Sequence, residues 1–534
     1  MTWLRRLLSA CLGACLLLPA PHRYASTSAL APEARRAIDA LGPGQTVRII
    51  VHLADQPALD LPGLQDQAGP ERPGHVAARL RAHADASQAS LREWLRQREA
   101  AGEAQDVTPF WSFNGLAVSA SRELILELAH RPDVERIALD GLLLAPNRAD
   151  RLSPEHCQDF APSTSPDACH SERSEESPPR IQMTLRSAQG DSVPENLIAI
   201  GAPDAWARGL TGQGVVVALL DSGVDMSHAD LAARWRGGTN SWFDPYGEHP
   251  DAPFDVNGHG TQTLGVILGG DAGGSAIGVA PGAQWIAARI FDDRDRATIE
   301  GIHKALQWVL DPDGDPATHD APDVVNNSWS FVNAGCDGEF ADDLSALRAA
   351  GILPVFAAGV RDSVSPANTP EAFAVGALAD VETALADSPR GPSICGGKPV
   401  FPQVVAPGAN IRTTDRFGTY ATLDGSSLAA AHVSGALALL LDADPELSAA
   451  EQESILTETA VDLGAPGPDD AFGYGRIDIA AALDRVLGAD PSRAPATLAP
   501  AAAGNGGAAW IWIAAGGLLI LALAGFAIVR RATG

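Results

Sequence analysis

The sequence predicts an α/β protein whose doubly wound, mostly parallel sheet carries helices on both faces and follows a smaller α+β domain. Three observations predict it. Short, continuously apolar segments alternate with helical patterns across residues 196–488, which is typical of parallel strands buried on both faces. Residues 47–139 show strand and helix periods in the order β-α-β-β-α-β. Hydrophobic residues make up 46% of the chain and charged residues 19%, which is enough to form buried cores.

Length and charge limit the classes of protein to consider. At about 150 residues per domain, 534 residues correspond to roughly three or four units. Asp and Glu total 66 against 38 Lys and Arg, which gives a net charge of −28. Such a surface repels phosphate backbones, so we expect no nucleic-acid partner. Six cysteines are too few for a scaffold built on disulfides.

Residues 1–25 have the layout of a secretory signal peptide. Arg5 and Arg6 precede an apolar run through Leu18, which is too short to span a bilayer and is followed by small residues. Cleavage is expected after Ala20 or Ala25. Residues 12–15 also resemble a lipoprotein processing box, but apolar sequence continues beyond them. We therefore expect the rest of the chain to be exported.

Residues 45–146 are expected to form the small domain, with the β-α-β-β-α-β order of a ferredoxin-like fold. Asn114-Gly115 is the strongest short hairpin signal, and Ser121 is expected to cap a short helix that ends at His130. The predicted elements are a strand at 47–53, a helix at 75–98, strands at 110–113 and 116–120, and a last strand at 134–139. The segment has no catalytic constellation, which favours a binding or chaperoning module.

Residues 147–195 are dominated by Pro, Ser, Glu and Arg and have no sustained apolar period. The run SERSEES at 171–177 is charged and of low complexity. These features predict a disordered, protease-accessible linker.

Residues 196–488 are expected to form the large domain. Apolar positions at helical spacing predict a helix through 299–309, and residues 429–441 are apolar almost all round, which indicates a buried helix. The candidate strands are 215–220, 285–290, 323–326, 352–357 and 372–377.

The C-terminal segment predicts a membrane anchor. An Ala/Pro/Gly-rich tether at 489–508 precedes a transmembrane helix at 509–531. Residues 510–529 are uncharged and mostly apolar, which matches a hydrocarbon core of roughly 30 Å. Arg530 and Arg531 would lie on the cytoplasmic side. The alternative is a sorting signal that is removed after export. Either way, the bulk of the protein is expected outside the cytoplasm, anchored to the cell membrane.

Three motifs contain the residues of a possible active site. Asp221 follows a buried strand and therefore lies at the carboxyl edge of the sheet. His259 is flanked by Gly258 and Gly260, and Ser427 precedes the long buried helix. Each motif is weak alone: Asp often precedes a turn, His between glycines is common in loops, and a Ser at this point could simply cap the helix. In chain order they run Asp, His, Ser, which is the order of the subtilisin triad.

With these motifs the chain resembles the subtilisin-like serine proteases, and within them the bacillopeptidase F-like branch. The resemblance covers the large domain, and it extends to the small domain, which looks like the family's inhibitory propeptide. The further matching segments are 201–206 (GAPDAW), 211–215 (TGQGV), 278–282 (GVAPG), 326–329 (NNSW) and 405–408 (VAPG). The resemblance implies a subtilisin-like fold, polypeptide substrates, and a zymogen that its own propeptide inhibits.

The resemblance also implies residue roles. Ser427 would attack the peptide carbonyl, His259 would act as general base and then general acid, and Asp221 would orient and stabilise the imidazolium. The backbone N–H of Ser427 would supply one oxyanion donor. Residues Ser328, Trp329 and Ser330 match the strand that pairs with an extended substrate.

One position departs from the family pattern. The family has an Asn in an Ala-Ala-Gly-Asn motif that supplies the second oxyanion donor, whereas this chain has Val360 after Gly359. Valine has no side-chain donor, so activity is expected to be slow, unless Arg361 substitutes. A pseudoprotease or peptide-binding surface protein is the alternative. The replacements Leu428, for the usual Met, and Ala431, for the usual Pro, are apolar changes that we expect to be tolerated.

No cofactor is required by this chemistry, and calcium stays open. Asp311, Asp313 and Asp315 surround a glycine, but the EF-hand pattern fails because its twelfth position is Pro322; a solvated acidic loop is expected. His228 and His432 are expected to be packing residues. Four cysteines permit three pairings, among which Cys336 with Cys395 and Cys157 with Cys169 are candidates in an oxidising compartment.

Overall fold

The computed structural model describes residues 29–59, 69–145, 193–331 and 335–489. The signal peptide, almost all of the linker, Cys157 and Cys169, and the C-terminal tether and transmembrane helix lie outside these residues. The described residues belong to one compact unit that ends at Ala489. We call residues 29–145 its small domain and residues 193–489 its large domain, because each range has its own main sheet.

The small domain is a four-stranded antiparallel sheet in the order β2-β3-β1-β4, covered by four helices. The predicted helix at 75–98 is divided in two at Gln88, whose buried side-chain amide donates to the carbonyl of Phe110 and to Asn114 Oδ1. The elements are α1 (Pro32–Ala40), β1 (Thr46–Leu53), α2 (Arg72–Ser87), α3 (Ala89–Ala100), β2 (Ala104–Phe110), β3 (Gly115–Ser121), α4 (Arg122–Ala129), β4 (Val134–Leu139) and β5 (Leu142–Leu144).

The predicted strand at 110–113 is wrong. The second strand, β2, ends at Phe110, and residues 111–114 form the turn, with Asn114 in the left-handed region (φ 45°). The aromatic residues of this turn face the large domain: the Phe113 ring lies 4.1 Å from that of His303. The predicted cap is confirmed, because Ser121 Oγ accepts a hydrogen bond from the backbone N–H of Leu124 at 3.3 Å.

The large domain is built on a seven-stranded parallel sheet in the order β13-β12-β11-β10-β6-β8-β7. All five predicted strands are confirmed within one residue at each end. The strands are β6 (Val216–Asp221), β7 (Trp242–Phe243), β8 (Gln284–Arg289), β9 (Arg296–Thr298), β10 (Val324–Asn327), β11 (Leu353–Ala357), β12 (Phe373–Leu378), β13 (Val404–Pro407), β14 (Ile411–Asp415) and β15 (Thr419–Leu423). Strands β14 and β15 form a separate hairpin, and β9 pairs with β5.

Both faces of this sheet are covered, as predicted. Val217 and Leu219 of β6 pack into one core, and the alternate residues Ala218 and Leu220 pack into another. The helices are α5 (Glu195–Ala199), α6 (Ala202–Ala207), α7 (Ala229–Ala232), α8 (His259–Leu268), α9 (Ile299–Leu310), α10 (Ala341–Ala349), α11 (Ser426–Ala443), α12 (Ala449–Glu458) and α13 (Ile479–Ala489). Helices α8 and α11 lie on the first face, and α9 and α10 on the second.

Helix α11 runs through the first core. Among the described residues it is the one helix long and apolar enough to cross a membrane, but 83% of it is buried within the protein. Its apolar surface is thus explained by packing against β10–β13 and α8.

Candidate active site

Asp221 is the last residue of β6, in the interior of the parallel sheet, and its side chain is buried. Its Oδ1 accepts a hydrogen bond from the backbone N–H of Ser222 at 2.7 Å, and Thr263 Oγ1 lies 3.4 Å from its Oδ2. These contacts fix the carboxylate at the carboxyl edge of the sheet, where open α/β sheets place their sites.

His259 is the first residue of α8 and lies beside Asp221. Its Nδ1 is 2.8 Å from Asp221 Oδ1, and its Nε2 is 3.0 Å from Ser427 Oγ. With the Nδ1 proton donated to the carboxylate, Nε2 accepts from the hydroxyl. Burial lowers the pKa of His259, whereas the charge and hydrogen bond of Asp221 and the charge of Asp255 raise it, and the net shift is upward.

The two glycines that flank His259 are each needed for a different reason. Gly258 has φ of 102°, a left-handed conformation that strains other residues. A Cβ on Gly260 would lie only 2.1 Å from the carbonyl oxygen of Gly223. The helix can therefore approach the Asp221 strand end only with glycine at 260.

Ser427 lies in the first turn of α11. The residue before the helix is Gly425 (φ 151°), and no side chain caps it, so neither serine serves as the N-cap. Ser426 Oγ instead donates to the carbonyl oxygen of Gly359 at 2.8 Å. The Ser427 hydroxyl remains directed at His259.

The chain at Val360 passes along the edge of this site. Val360 is 66% exposed, and its side chain offers no hydrogen-bond donor. Arg361 has φ of 64°; its Nε lies 3.0 Å from Asp387 Oδ1, and its backbone N–H donates to the Asp387 carbonyl. The Arg361 guanidinium, the candidate substitute for the family's amide donor, thus pairs with an exposed carboxylate.

Residues 328–330 directly follow β10, opposite Ser427. Ser328 Oγ donates to the carbonyl oxygen of Ser427 at 3.2 Å and accepts from Asn326 Nδ2 at 3.1 Å. The Trp329 ring is buried, with edge-to-face contacts to Phe340 and Phe356. Its side chain belongs to the core, so the surface that this segment can offer a ligand is chiefly main chain.

The end of the small domain, at strand β5 and Ala145, is linked to His259 through a series of hydrogen bonds. Strand β5 pairs antiparallel with β9, and the backbone N–H of Ala145 donates to the Asp295 carbonyl at 2.9 Å. Asp295 Oδ1 accepts from Asn257 Nδ2 at 3.1 Å, and Asn257 Oδ1 accepts from the backbone N–H of His259 at 3.1 Å. Three successive hydrogen bonds therefore connect Ala145 to His259.

Buried charges join the two domains. Glu339 of the large domain accepts from Arg136 at 2.6 Å and lies 2.7 Å from His52 Nε2, both in the small domain. His303, on α9, lies 3.2 Å from the same carboxylate and 2.8 Å from Asp343. The imidazole and carboxylate atoms of His52, His303 and Glu339 lie close enough to hold a metal ion, although the Arg136 cation already neutralises Glu339.

The acidic loop that begins at Asp311 also contacts the small domain. Asp311 Oδ2 lies 2.6 Å from Arg81 Nη2 of the small domain. The carboxylates of Asp311, Asp313 and Asp320 are within 4.8 Å of one another, a spacing that could hold a cation. Asp315 is directed elsewhere, with its Oδ1 accepting from the backbone N–H of Ala317. The sequence predicted this loop as acidic but gave no sign that a guanidinium would face it.

The predicted packing roles of His228 and His432 are confirmed, and so is one of the candidate cysteine pairs. His228 Nε2 lies 2.9 Å from the Thr419 carbonyl, and both histidines are buried. His432 Nδ1 lies 2.7 Å from the Leu428 carbonyl, and burial lowers the pKa of His432 to about 4. Cys336 and Cys395 form a disulfide.

Comparisons with known proteins agree with this geometry. The model of the Subtilase family matches residues 212–475. The chain is 35% identical over 440 residues to Bacillopeptidase F of Bacillus subtilis (strain 168), covering 77% of this chain but only 28% of that protein. It is 34% identical to Subtilisin BL of Lederbergia lenta over 54% of this chain and 98% of that protein, and 33% identical to the Alkaline protease of Alkalihalobacillus alcalophilus over 55% and 71%.

The match to Bacillopeptidase F is longer than the predicted large domain, so it reaches beyond residues 196–488. The match to Subtilisin BL covers nearly all of that protein and includes about half of this chain. Together with the parallel sheet and the arrangement of Asp221, His259 and Ser427, these matches show that the chain belongs to the subtilase family, the subtilisin-like serine proteases.

Proposed function

We propose that the protein is a serine endopeptidase that hydrolyses peptide bonds through Asp221, His259 and Ser427. The observation that carries the proposal is the hydrogen-bond chain from Asp221 Oδ1 to His259 Nδ1 (2.8 Å) and from His259 Nε2 to Ser427 Oγ (3.0 Å). A nucleophile within reach of a base, and a base oriented by a buried carboxylate, is the arrangement that activates a hydroxyl.

In the reaction, Ser427 Oγ attacks the substrate carbonyl and its proton passes to His259 Nε2. The imidazolium then gives this proton to the leaving amine, which leaves an acyl-enzyme. Water then attacks the acyl carbonyl as it gives a proton to the same nitrogen. The imidazolium returns this proton to Ser427 Oγ as the ester bond breaks, which releases the acid and the free serine. Asp221 stabilises the imidazolium in both halves, and the raised pKa of His259 agrees with that role.

The oxyanion would be stabilised mainly by the backbone N–H of Ser427. Val360 stands where the family's amide donor is expected and can supply no hydrogen bond. For subtilisin itself, loss of this donor lowers kcat by about 10²–10³. We therefore propose a slow enzyme, whose triad and backbone donor are intact.

Polypeptide substrates would bind in extended form across the cleft. The main chain of residues 328–330 on one side and β9 on the other would flank the peptide, as in strand addition to a sheet edge. The pairing of β5 with β9 supports this, since the chain's own segment adopts that form there.

The small domain would act as an intramolecular inhibitor, so that the protein is made as a zymogen. Strand β5 pairs with β9 of the large domain, and three successive hydrogen bonds link the next residue, Ala145, to His259. The interdomain pairs Arg48–Glu300 (2.8 Å) and Arg136–Glu339 (2.6 Å) hold it there. Cleavage within the linker, residues 147–195, would separate the two domains.

The protein would act outside the cytoplasm, tethered to the cell membrane. The support is the signal-peptide layout of residues 1–25 and the apolar span at 509–531, which is followed by arginines. The intervening domains would then face the exterior, where the Cys336–Cys395 disulfide is stable.

Labelling with a fluorophosphonate probe tests the peptidase proposal. The processed protein should be labelled at Ser427, and the Ser427→Ala chain should stay unlabelled and remain uncut. A Ser434→Ala chain serves as the matched control, because Ser434 lies on the same helix but bonds to Asn326. Absence of labelling together with retained binding of extended peptides would instead support a peptide-binding pseudoprotease.

A further inference from the structure

A second buried carboxylate lies behind His259. Asp255 is only 6% exposed. Its Oδ1 accepts from Ser222 Oγ at 2.9 Å and from the backbone N–H groups of Asn257 and Gly258 at 3.1 and 2.7 Å. Its Oδ2 accepts from the backbone N–H and the hydroxyl of Thr261, at 3.0 and 2.6 Å.

All five donors to Asp255 are neutral. Within the described part of the chain, no Lys or Arg forms an ion pair with this carboxylate. The negative charge of this buried carboxylate is therefore stabilised by hydrogen bonds from neutral groups. That charge is a further cause of the raised pKa of His259, after Asp221.

The same carboxylate connects the two halves of the hydrogen-bond chain. Ser222 Oγ donates to Asp255 and accepts from the backbone N–H of Gly260, the residue after His259. The backbone N–H of Ser222 donates to Asp221 Oδ1. Asp255 therefore holds the start of α8 and the strand end carrying Asp221 in one network, without contact with Ser427.

We infer that Asp255 is a positioning residue that sets the orientation of His259 and, through its negative charge, favours the imidazolium formed when Ser427 loses its proton. This inference rests on the proposed peptidase function. It adds a second anion to the one that contacts the imidazole directly. In this arrangement Asp221 contacts His259 directly. Asp255 acts on it indirectly, through the hydrogen bonds at the start of α8 and through the electrostatic effect of its charge.

The test is to make Asp255→Asn in the full chain and to compare its pH profile of kcat/KM with that of the wild-type chain. Asn keeps the size of the side chain but removes its charge. We expect kcat to fall about 10- to 100-fold with little change in KM, because a slightly misplaced base reacts slowly. The acidic limb, which reports protonation of His259, should move to lower pH, since loss of a nearby negative charge lowers the pKa of an imidazole.

Asp255→Glu is the matched variant because it moves the carboxylate but keeps its charge. It should lower kcat while leaving the acidic limb at the wild-type pH. A purely structural role predicts lower thermal stability in both variants and no movement of the acidic limb in either, and that result would overturn the inference. If Asp255→Asn does not fold, a Glu variant with wild-type kcat would still overturn it.

A second measurement separates this inference from the peptidase proposal. In the Ser427→Ala chain, the imidazole of His259 can be titrated by NMR with and without Asp255→Asn, and no turnover is needed. A lower pKa in the double variant supports the inference even if Ser427 proves unreactive. An unchanged pKa would contradict it even if the enzyme is fully active.

Discussion

Arg136 of the small domain and Glu339 of the large domain form an ion pair of 2.6 Å in which the carboxylate is almost completely buried. Removing one partner from such a pair leaves an uncompensated charge and costs about 3–5 kcal/mol. Arg136→Met in the Ser427→Ala chain should therefore weaken docking of the small domain. We expect hydrogen exchange at the amides of β5 to become faster by about 10²-fold or more.

The control for this prediction is Arg122→Met. Arg122 pairs with Asp39 at 3.1 Å within the small domain, and both side chains are largely exposed. Such pairs contribute about 0–1 kcal/mol. Equal exchange rates at β5 in the Arg136 and Arg122 variants would mean that the buried pair does not hold the domains together.

Docking should also weaken in acid, through His52. Burial and the neighbouring Arg136 lower the pKa of His52 from 6.5 to about 4, so the docked state favours the neutral imidazole. This contribution to docking is complete above pH 6.5 and is lost as pH falls toward 4. In the Ser427→Ala chain, exchange at β5 should therefore accelerate between pH 6.5 and 4.

Another interdomain group, Asp140, opposes this effect: burial raises its pKa from 3.8 to about 6, so the docked state favours the neutral acid and its contribution to docking grows as pH falls below 6. His52→Gln isolates the histidine, since glutamine keeps a donor for Glu339 but does not titrate. The variant should show a shallower pH dependence than the parent chain. Parallel pH curves would show that His52 makes no contribution to acid release.

Introducing at position 360 the Asn side chain that is typical of the family should increase activity. Val360 is 66% exposed, so a polar replacement there has little cost in stability. Val360→Asn is expected to raise kcat at least tenfold by adding a second oxyanion donor. Val360→Ala, which adds no donor, is the control. Equal kcat values for the Asn and Ala variants would indicate that another group already stabilises the oxyanion.

Gly260→Ala should disable the site through its backbone. The added Cβ would lie 2.1 Å from the Gly223 carbonyl oxygen, so α8 must move and carry His259 away from Asp221. We expect kcat to fall by about 10² or more and self-processing to stop. Gly488→Ala is the control, because no described atom outside its neighbouring residues and its own helix backbone lies within 4 Å of the added Cβ. Normal processing in Gly260→Ala would show that the strand end tolerates the shift.

The central sheet and the three residues of the site were predictable because their signals are local. Strand β6 is an uninterrupted apolar run, and Asp221 follows it at the edge where parallel strands end. His259 and Ser427 each lie in the first turn of a helix that follows a glycine with positive φ.

The interdomain contacts were not predictable from sequence. His52 and Glu339 are 287 residues apart, and neither belongs to a motif. The turn at 111–114 was misassigned because aromatic residues favour strands, whereas here Phe113 packs against His303 of the other domain. Asp255 did have a signal, a carboxylate four residues before the histidine, but the sequence gave no reason to separate it from an ordinary loop residue.

The antiparallel pairing of β5 with β9 has a consequence for maturation. Strand β5 and its partner β9 belong to the same molecule, so in the proposed zymogen a first cut beyond β5 would need no encounter between two copies. Its rate would then be first order and insensitive to dilution, and a membrane-bound copy far from any neighbour would mature as quickly as one in a crowded patch.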